Sequence, residues 1–424
     1  MKSLDDIAAA LQGYDPQALS VPHVLAFLEQ LVTPLDAGED QDLPVPEALG
    51  RVLACDAISP VDVPPHDNSA MDGFAFQGAA LQPGQALTLR VVGTALAGTA
   101  WRGTVGAGEC VRIMTGAIMP EGLDTVAPQE LVQVDGDTIT VPAARLHAGD
   151  NRRLRGEDIR AGKAALTAGQ RLSPAALGLV ASLGVPTVRV KRRLRVAYFS
   201  TGNEILSLGQ APREGAVFDS NRYTVMGMLD RLGCEMVDLG VVPDDPTRLR
   251  AAFTQAAHQA DAVITSGGVS VGEADYTKAM MRELGDVAFW KIAMRPGRPM
   301  AVGRIGSCVL FGLPGNPVAV MVTFLAFVRP ALLKMMGCTE QAPPLLQAAC
   351  TETLRKKPGR TEYQRGIVTR NAQGGLEVRT TGNQGSGVLS SMVQGNGLIV
   401  LHHDQADVRP GDRVDVMMFD GVMA

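Results

Sequence analysis

Acidic side chains recur directly after three successive apolar stretches near the middle of the chain. They are Glu204, Asp244, Asp245, Glu273 and Asp275. Helical patterns separate the three stretches, and alternating strands and helices indicate a parallel sheet, whose strands end at one shared edge. Carboxylates beside an anion site are explained by a divalent cation lying between them. The repetition therefore predicts a metal or phosphate site at this edge of the sheet.

The third of these turns is rich in glycine and serine. Its residues with uncovered amides or small hydroxyl groups are Ser266, Gly267, Gly268, Ser270 and Gly272. Glycine permits a positive φ and lets a phosphate approach the main chain, and main-chain N–H groups at the end of a strand suit an anion. An ordinary connection from strand to helix, with its acids in solvent, explains the same residues, so both interpretations stay open.

Positive charge and a second stiff turn follow this segment. Three cations surround a stretch of prolines and glycine, and they are Lys291, Arg295 and Arg298. Cations close to carboxylates fit a site that holds both phosphates and Mg²⁺, although surface salt bridges would explain them too. The stiff turn has exposed amides before an apolar helix, where an anion is favoured. It consists of Pro314, Gly315, Asn316 and Pro317.

Two polar loops lie in the first half of the chain. The first, at 61–76, contains Asp72 in a proline-rich setting and could orient a substrate or a metal; an Asx-turn before a strand is the alternative. Thr115 sits in a turn after a strand, where its hydroxyl could meet a phosphate or a carbonyl, or serve only the turn. At 151–158, three arginines and two acids, Asp158 among them, could clamp an anionic substrate or form a solvated face.

Composition limits the function classes. A net charge of −5 argues against a general nucleic-acid or membrane-surface binder. The six cysteines are scattered without a CxxC pair, which favours reduced thiols in a cytosolic protein over a zinc knuckle or a disulfide framework. The nearly apolar run at 318–328 is too short to span a bilayer.

The chain of 424 residues is long enough for three or four domains. Its pattern predicts a multidomain α/β plus β protein with a central, doubly wound, mostly parallel α/β domain. An inserted, small, mostly-β domain, an elongated N-terminal helical or extended region and a C-terminal β-barrel-like domain complete it. The predicted limits are 1–60 with 152–190 for the elongated part, 61–151 for the insertion, 191–336 for the α/β domain and 337–424 for the barrel.

Six segments together resemble one family, and they cover nearly the whole chain in order. They are DNSAMDG at 67–73, RIMTG at 112–116, RGED at 155–158, FSTGNE at 199–204, TSGGVSVGEADYT at 265–277 and GLPGNP at 312–317. The pattern resembles the molybdopterin molybdenumtransferases, the MoeA proteins and the related E domain of gephyrin. Each segment is weakly diagnostic by itself, and the ordered set of six is specific.

The resemblance implies an elongated homodimer that inserts molybdate into adenylated molybdopterin, with Mg²⁺-dependent cleavage of the pyrophosphate and release of AMP. It also implies a site completed across the dimer, where the 67–73 loop of one subunit approaches the α/β edge of the other. The functional residues it implies are Asp72, Thr115, Asp158, Glu204, Asp244, Asp275, Pro314 and Pro317. Of these, Glu204, Asp244 and Asp275 are the expected Mg²⁺ ligands. The expected partners include the molybdopterin adenylyltransferase and recipient molybdoenzymes, in the cytoplasm and without nucleic acid or membrane.

The chain departs from the family pattern at two places. Asn203 stands where many members have Asp, and arginines stand at 295 and 298 where many have lysines. Both changes affect the expected details of affinity and leave the reaction class unchanged, because Glu204 and the two positive charges remain. Two other functions stay open from the sequence: an ATP-consuming enzyme that binds or adenylylates the pterin, and a scaffold that binds a peptide without catalysis.

Overall fold

The protein is described by a computed structural model that covers residues 2–269, 276–340 and 342–420. Two amphipathic helices open the chain, α1 (Leu4–Ala10) and α2 (Val21–Leu31). Ser3 caps α1 in a capping box, and Ser20 accepts a hydrogen bond from the backbone N–H of His23 to cap α2. The chain then forms a 3₁₀ turn (Ala37–Glu39), β1 (Gln41–Pro44), a second 3₁₀ turn (Val45–Glu47) and β2 (Ala57–Ile58).

Both opening helices pack on the α/β domain and share its largest hydrophobic core. Phe27 of α2 meets Trp290 edge to face, with 4.9 Å between ring centroids. The indole N–H of Trp290 donates to the hydroxyl of Tyr14 at 2.9 Å. The sequence pattern had grouped these helices with the elongated part. Helical spacing shows which face is apolar, but it does not show which domain covers that face.

The inserted domain is a six-stranded sheet with the order β7-β4-β6-β5-β9-β8, and a 3₁₀ turn (Gly78–Ala80) follows β4. A short ladder between β3 and β10 ties the two ends of the insertion together. The strands are β3 (Asn68–Ser69), β4 (Gly73–Phe76), β5 (Leu87–Ala95), β6 (Glu109–Ile113), β7 (Thr125–Pro128), β8 (Gln133–Asp135), β9 (Thr138–Val141) and β10 (Arg152–Arg153).

After the inserted domain, the chain forms strand pairs with the segment that precedes that domain. β11 (Ala164–Leu166) lies antiparallel to β2, α3 (Pro174–Ser182) follows, and β12 (Thr187–Val190) lies antiparallel to β1. A chain excursion between two pairs of strands is the arrangement predicted for an inserted domain, and the exact domain limits stay a prediction.

The α/β domain contains a six-stranded sheet with the order β16-β13-β17-β21-β20-β18. The first four strands are parallel, and β20 runs antiparallel to both of its neighbours, β21 and β18. Its strands are β13 (Arg195–Thr201), β14 (Ile205–Leu206), β15 (Val217–Phe218), β16 (Glu235–Val242), β17 (Ala262–Ser266), β18 (Asp286–Lys291), β19 (Met294–Arg295), β20 (Pro299–Ile305) and β21 (Cys308–Leu313). Its helices are α4 (Ser220–Leu232), α5 (Pro246–Gln259), α6 (Tyr276–Leu284), α7 (Pro317–Thr323) and α8 (Arg329–Met335).

Helices cover both faces of this sheet, as the doubly wound prediction requires. Helices α4 and α7 share one hydrophobic core with the N-terminal helices, whereas α5 and α6 share a second core on the opposite face. A π-helical segment (Phe324–Val328) joins α7 to α8. The joined run Pro317–Met335 has 19 residues and is apolar enough to span a membrane by length and composition, but 89% of its most apolar window is buried inside the protein. It is therefore a core helix, longer than the run counted in the sequence.

The C-terminal domain is a closed barrel in which β23-β24-β22-β26-β25 pair in turn and β25 returns to β23. The elements are β22 (Leu346–Cys350), β23 (Thr361–Arg370), β24 (Leu376–Thr380), α9 (Ser390–Gln394), β25 (Gly397–Leu401) and β26 (Arg413–Met418). The barrel-like prediction is confirmed. Strand β19 of the α/β domain pairs in parallel with the beginning of β23, so the two domains share a ladder.

Candidate functional site

The first two acidic turns meet at the carboxyl edge of the parallel strands. The hydroxyl of Thr201, the last residue of β13, donates to Oδ1 of Asp244 at 2.8 Å. The backbone N–H of Asp244 donates to Oδ1 of Asn203 at 3.2 Å. Asn203 thus keeps the acceptor that an aspartate would supply at this position and lacks its charge. The turns after β13 and β16 are locked together, with the Asp244 carboxylate half-buried between them.

The two acids that follow β16 have different environments. Asp245 precedes α5 as its N-cap and accepts from the backbone N–H of Arg248 at 2.9 Å. Asp244 makes no cap and faces Thr201. The sequence could not separate the two, since either aspartate could have capped the helix. The structure leaves Asp244 as the acid of this turn that faces the edge.

Glu204 is exposed and lies just beyond the end of β13. Its carboxylate folds back over Gly202, where an added Cβ would lie 2.6 Å from Oε2 of Glu204. Gly202 has a φ of +146°, a backbone conformation that favours glycine, whereas the exposed Glu204 side chain could move away from a Cβ. Glu204 and Asp244 therefore lie on adjacent turns of one edge, as the strand pattern predicted.

The third turn begins at Ser266, the last residue of β17. Its side chain is only 3% exposed, and its hydroxyl lies 2.7 Å from the hydroxyl of Tyr198. Ser266, expected from the sequence to bind substrate, therefore directs its hydroxyl into the protein and supports the turn from behind. Gly267 and Gly268 follow, both with positive φ. Ser270, Gly272, Glu273 and Asp275 lie outside the described residues, and their roles stay a prediction.

Gly267 closes this turn tightly against β13. Its N–H donates to the carbonyl of Leu313 at 3.2 Å, and a Cβ at this position would lie 2.6 Å from the carbonyl oxygen of Thr201. The Gly267 amide thus ties the turn to the end of β21, and there is no room for a side chain between the turn and β13.

A substitution of Gly267 by Ala is expected to destabilise the protein more than the same change at Gly209. Both glycines have positive φ, but nothing lies within 4 Å of a Cβ at Gly209, so Gly209→Ala carries only the conformational cost, about 1 kcal/mol. Gly267→Ala adds a clash with main chain, about 1–3 kcal/mol more. Thermal unfolding midpoints of the two variants measure the difference, and equal midpoints would show that the turn can move.

A cavity of about 400 Å³ opens between the α/β domain and the barrel. We call it the arginine cavity, since three of its lining residues are arginines and none is a carboxylate among the described residues. Residues of both domains line it: Arg295, Arg298, Pro314, Gly315, Asn316, Arg360, Gln384 and Ser386. Arg360 is paired with Glu362 behind the lining, so Arg295 and Arg298 are the lining cations that could bind a small anion.

Buried side chains of the barrel hold in place the barrel residues that line the arginine cavity. Glu362, 3% exposed, accepts from Nε of Arg360 at 2.8 Å and holds that guanidinium in place. Arg365 is 1% exposed and donates to the carbonyls of Asn383 and Gly385 at 3.3 and 3.0 Å, which fixes the loop that carries Gln384 and Ser386. Burial, and secondarily the charge of Arg295, lowers the pKa of Arg365 from its ordinary value.

Some residues of the proline turn and of the basic segment line the arginine cavity, and others lie outside its lining. Pro314, Gly315 and Asn316 line the arginine cavity, and Nδ2 of Asn316 donates to Oγ of Ser386 at 2.9 Å across the domain boundary. Pro317 is the first residue of α7. Lys291 ends β18 half-buried and is outside the cavity lining, so the three predicted cations separate into Arg295 and Arg298 at the cavity and Lys291 beside it.

The site residues of the inserted domain form a separate group within one chain. Oδ1 of Asp72 accepts from both the backbone N–H and the hydroxyl of Thr115, each at 2.7 Å. These bonds lower the pKa of Asp72 from its ordinary value, so the carboxylate is ionised at neutral pH. Asp158 is exposed at the end of the arginine-rich run, and its backbone N–H donates to Val63 at 3.1 Å. These contacts stay within the inserted domain and its flanking turns.

Comparison with known proteins agrees with this arrangement of domains. Family models match in order: the MoeA N-terminal region, domains I and II, at residues 19–184; a probable molybdopterin binding domain at 197–334; and the MoeA C-terminal region, domain IV, at 347–419. The molybdopterin molybdenumtransferase of Haemophilus influenzae is 42% identical over 398 residues, which cover 94% of this chain and 97% of that protein. The chain belongs to the molybdopterin molybdenumtransferase family.

Other members of the molybdopterin molybdenumtransferase family are similar over the same length. The Nostoc protein of that name is 34% identical and covers 96% of this chain and 95% of its own. The crystal structure of the molybdopterin biosynthesis moeA protein from Pyrococcus horikoshii superposes with a TM-score of 0.78 at 26% identity, covering 95% of this chain and all of that one. Membership makes the chain a transferase of molybdenum cofactor biosynthesis, and the recognition made from the six segments is confirmed.

Proposed function

We propose that this enzyme transfers molybdenum from molybdate into adenylated molybdopterin, with cleavage of the pyrophosphate and release of AMP. One observation carries the proposal: the turn that lines the arginine cavity packs against the third turn of the sheet edge. A Cβ at Gly315, which lines the cavity, would lie 3.9 Å from Cα of Gly267 in the third βα turn. An anion in the cavity would therefore lie next to a nucleotide bound at the sheet edge.

The arginine cavity suits molybdate because that ion is a compact dianion. Guanidinium groups bind tetrahedral oxyanions through two parallel hydrogen bonds, and they keep their charge at any physiological pH. Arg295 and Arg298 supply these groups, Arg360 adds a guanidinium already paired with Glu362, and the side chains of Asn316 and Ser386 add polar atoms. Pro314 and Pro317 stiffen the turn between the cavity and α7.

We propose that a magnesium ion binds at the acidic edge, where the described residues offer two carboxylates and no group of three ligands. Mg²⁺ in enzymes is held by one or two carboxylates together with water and substrate phosphates. Glu204 and Asp244 offer carboxylate oxygens on adjacent turns, and Asp275 would add a third from the turn outside the described residues. The bound ion would neutralise charge on the departing AMP phosphate. Thr201 holds Oδ1 of Asp244, so the carboxylate is oriented before any ligand arrives.

A homodimer would give a role to the site residues of the inserted domain, which are Asp72, Thr115 and Asp158. Their contacts in one chain stay within the inserted domain and its flanks. We propose that a second copy brings its 67–73 loop to the acidic edge. The ionised Asp72 carboxylate, braced by Thr115, would then face the bound substrate. The molybdopterin adenylyltransferase as donor, molybdoenzymes as recipients and a cytoplasmic location complete the proposal.

AMP release tests the function directly. Purified protein, incubated with adenylated molybdopterin, is expected to release AMP only when molybdate and Mg²⁺ are both present, as measured by chromatography of the nucleotide. The same assay separates the alternatives. Consumption of ATP with formation of adenylated pterin would favour an adenylylating enzyme. Absence of AMP with all components present would refute the proposed reaction, and peptide affinity unaffected by changes to the acids would then favour a scaffold.

A further inference from the structure

Five polar side chains are buried together beneath the acidic edge, and the proposed reaction uses none of them directly. All are less than 9% exposed, and we call them the hydroxyl cluster after its three central members. They are Tyr198, Ser200, Asp219, Asn221 and Ser266. Burial of polar groups is unfavourable unless they are hydrogen-bonded, so a cluster of this size at a ligand-binding edge requires an explanation.

Hydrogen bonds link the cluster to two strands and a helix. The Tyr198 hydroxyl lies 2.9 Å from that of Ser200 and 2.7 Å from that of Ser266, which joins β13 to β17. The Ser200 hydroxyl donates to Oδ1 of Asp219 at 2.9 Å. Asp219 is the N-cap of α4, so the beginning of this helix is fixed relative to the ends of both strands.

Asn221, in the first turn of α4, extends the cluster to the arginine cavity. Its Nδ2 donates to the carbonyl oxygen of Gly315 at 2.8 Å and lies 3.5 Å from the hydroxyl of Ser266. Its Oδ1 is buried without a hydrogen-bond partner in the part of the chain that the structure describes. The described contacts of the amide are therefore made on the Nδ2 side, toward the cavity turn and the end of β17.

This contact sets the orientation of a peptide group in the cavity wall. The Gly315–Asn316 peptide is planar, so a fixed Gly315 carbonyl also fixes the N–H of Asn316, which points in the opposite direction. The Asn316 side chain in turn donates to Ser386 of the barrel. Without Asn221 the peptide could rotate, and the turn would lose the alignment of its polar groups toward an anion.

We propose that Asn221 is a positioning residue that holds the cavity turn in the conformation that binds molybdate, through the hydroxyl cluster. The inference rests on the proposed function of the arginine cavity. It predicts a defect in molybdate affinity that is separate from any loss of folded protein, because Asn221 acts on the turn and touches no substrate.

Calorimetric titration of the full-length protein with sodium molybdate tests the inference. Asn221→Ala is expected to weaken molybdate binding about tenfold, the effect of one buried hydrogen bond. In the AMP assay the KM for molybdate should rise by the same factor while kcat stays within about twofold, since a purely structural defect would lower kcat by reducing the active fraction. Asn221→Asp keeps the size of the side chain and loses the donor, so it should weaken binding at least as much even if the alanine variant folds poorly.

A control removes an asparagine that fixes a hairpin of the barrel and does not line the arginine cavity. Asn371 accepts from the backbone N–H groups of Gln373 and Gly375 in the hairpin between β23 and β24, and Asn371→Ala should bind molybdate like the unaltered protein. Unchanged binding in both Asn221 variants, with binding lost in Arg298→Ala, would overturn the role of Asn221 and leave the cavity proposal standing. Unchanged binding in all three would overturn both.

Discussion

Substitution of Asp244 by Asn is expected to lower the rate of AMP release by about 100-fold or more while the protein stays folded. The amide keeps an oxygen that can accept from Thr201, so the local hydrogen bond at 2.8 Å survives. The negative charge that would hold Mg²⁺ is lost. Steady-state assays at saturating molybdate, over a range of Mg²⁺ concentrations, measure the effect, and part of the lost rate should return at high Mg²⁺.

The neighbouring acid supplies the control for this experiment. Asp245→Asn removes the same charge one residue away, and asparagine caps a helix as well as aspartate does. This variant should retain activity within about twofold and unfold at nearly the same temperature. Equal losses in the two variants would mean that general electrostatics, rather than a ligand at Asp244, explains the effect, and full activity of Asp244→Asn would exclude Asp244 from the site.

The second large effect is expected at the arginine cavity, where Arg298→Ala should weaken molybdate binding by about 10- to 100-fold. A hydrogen bond to a charged group contributes about 1.5–3 kcal/mol, which corresponds to this range. Arg298→Lys keeps the charge but cannot form two parallel hydrogen bonds. Its affinity for molybdate should therefore lie between that of the unaltered protein and that of Arg298→Ala. Calorimetric titration with molybdate compares the three proteins.

An exposed arginine on the barrel controls for the change in net charge. Arg370 ends β23 and is outside the cavity lining, so Arg370→Ala should bind molybdate normally. A similar loss in both alanine variants would indicate long-range attraction alone, which added salt would suppress. If Arg298→Ala binds like the unaltered protein, the anion occupies a different place.

The strand pattern located the acidic edge correctly because it depends on local rules. Alternating strands and helices form a parallel sheet with right-handed crossovers, and the ends of its strands meet at one edge. Glu204 and Asp244 follow directly from this arrangement. The same pattern predicts a short helix over 44–53, but the structure has only a 3₁₀ turn at Val45–Glu47, because the preceding strand β1 is held by its pairing with β12.

Local pattern also failed where a residue has two possible roles. Ser266 and Asp245 each belong to a residue type and a position suited to ligand binding, yet one is buried against Tyr198 and the other caps α5. Spacing along the chain does not reveal which side chain a neighbouring strand covers. Asn221 went unnoticed for the converse reason, because nothing near it in sequence indicates that the Gly315 carbonyl lies beside it.

The sequence by itself determined the family, the order of domains and the placement of Glu204 and Asp244 at the sheet edge, because ordered motifs and strand periodicity are properties of the linear chain. Only the tertiary structure decided what surrounds the arginine cavity. The pairing of β19 with β23 brings Arg360 and the loop carrying Ser386 against Arg295 and Arg298 from a different domain. Contacts between segments far apart in the chain depend on how the whole core packs, and no local pattern encodes them.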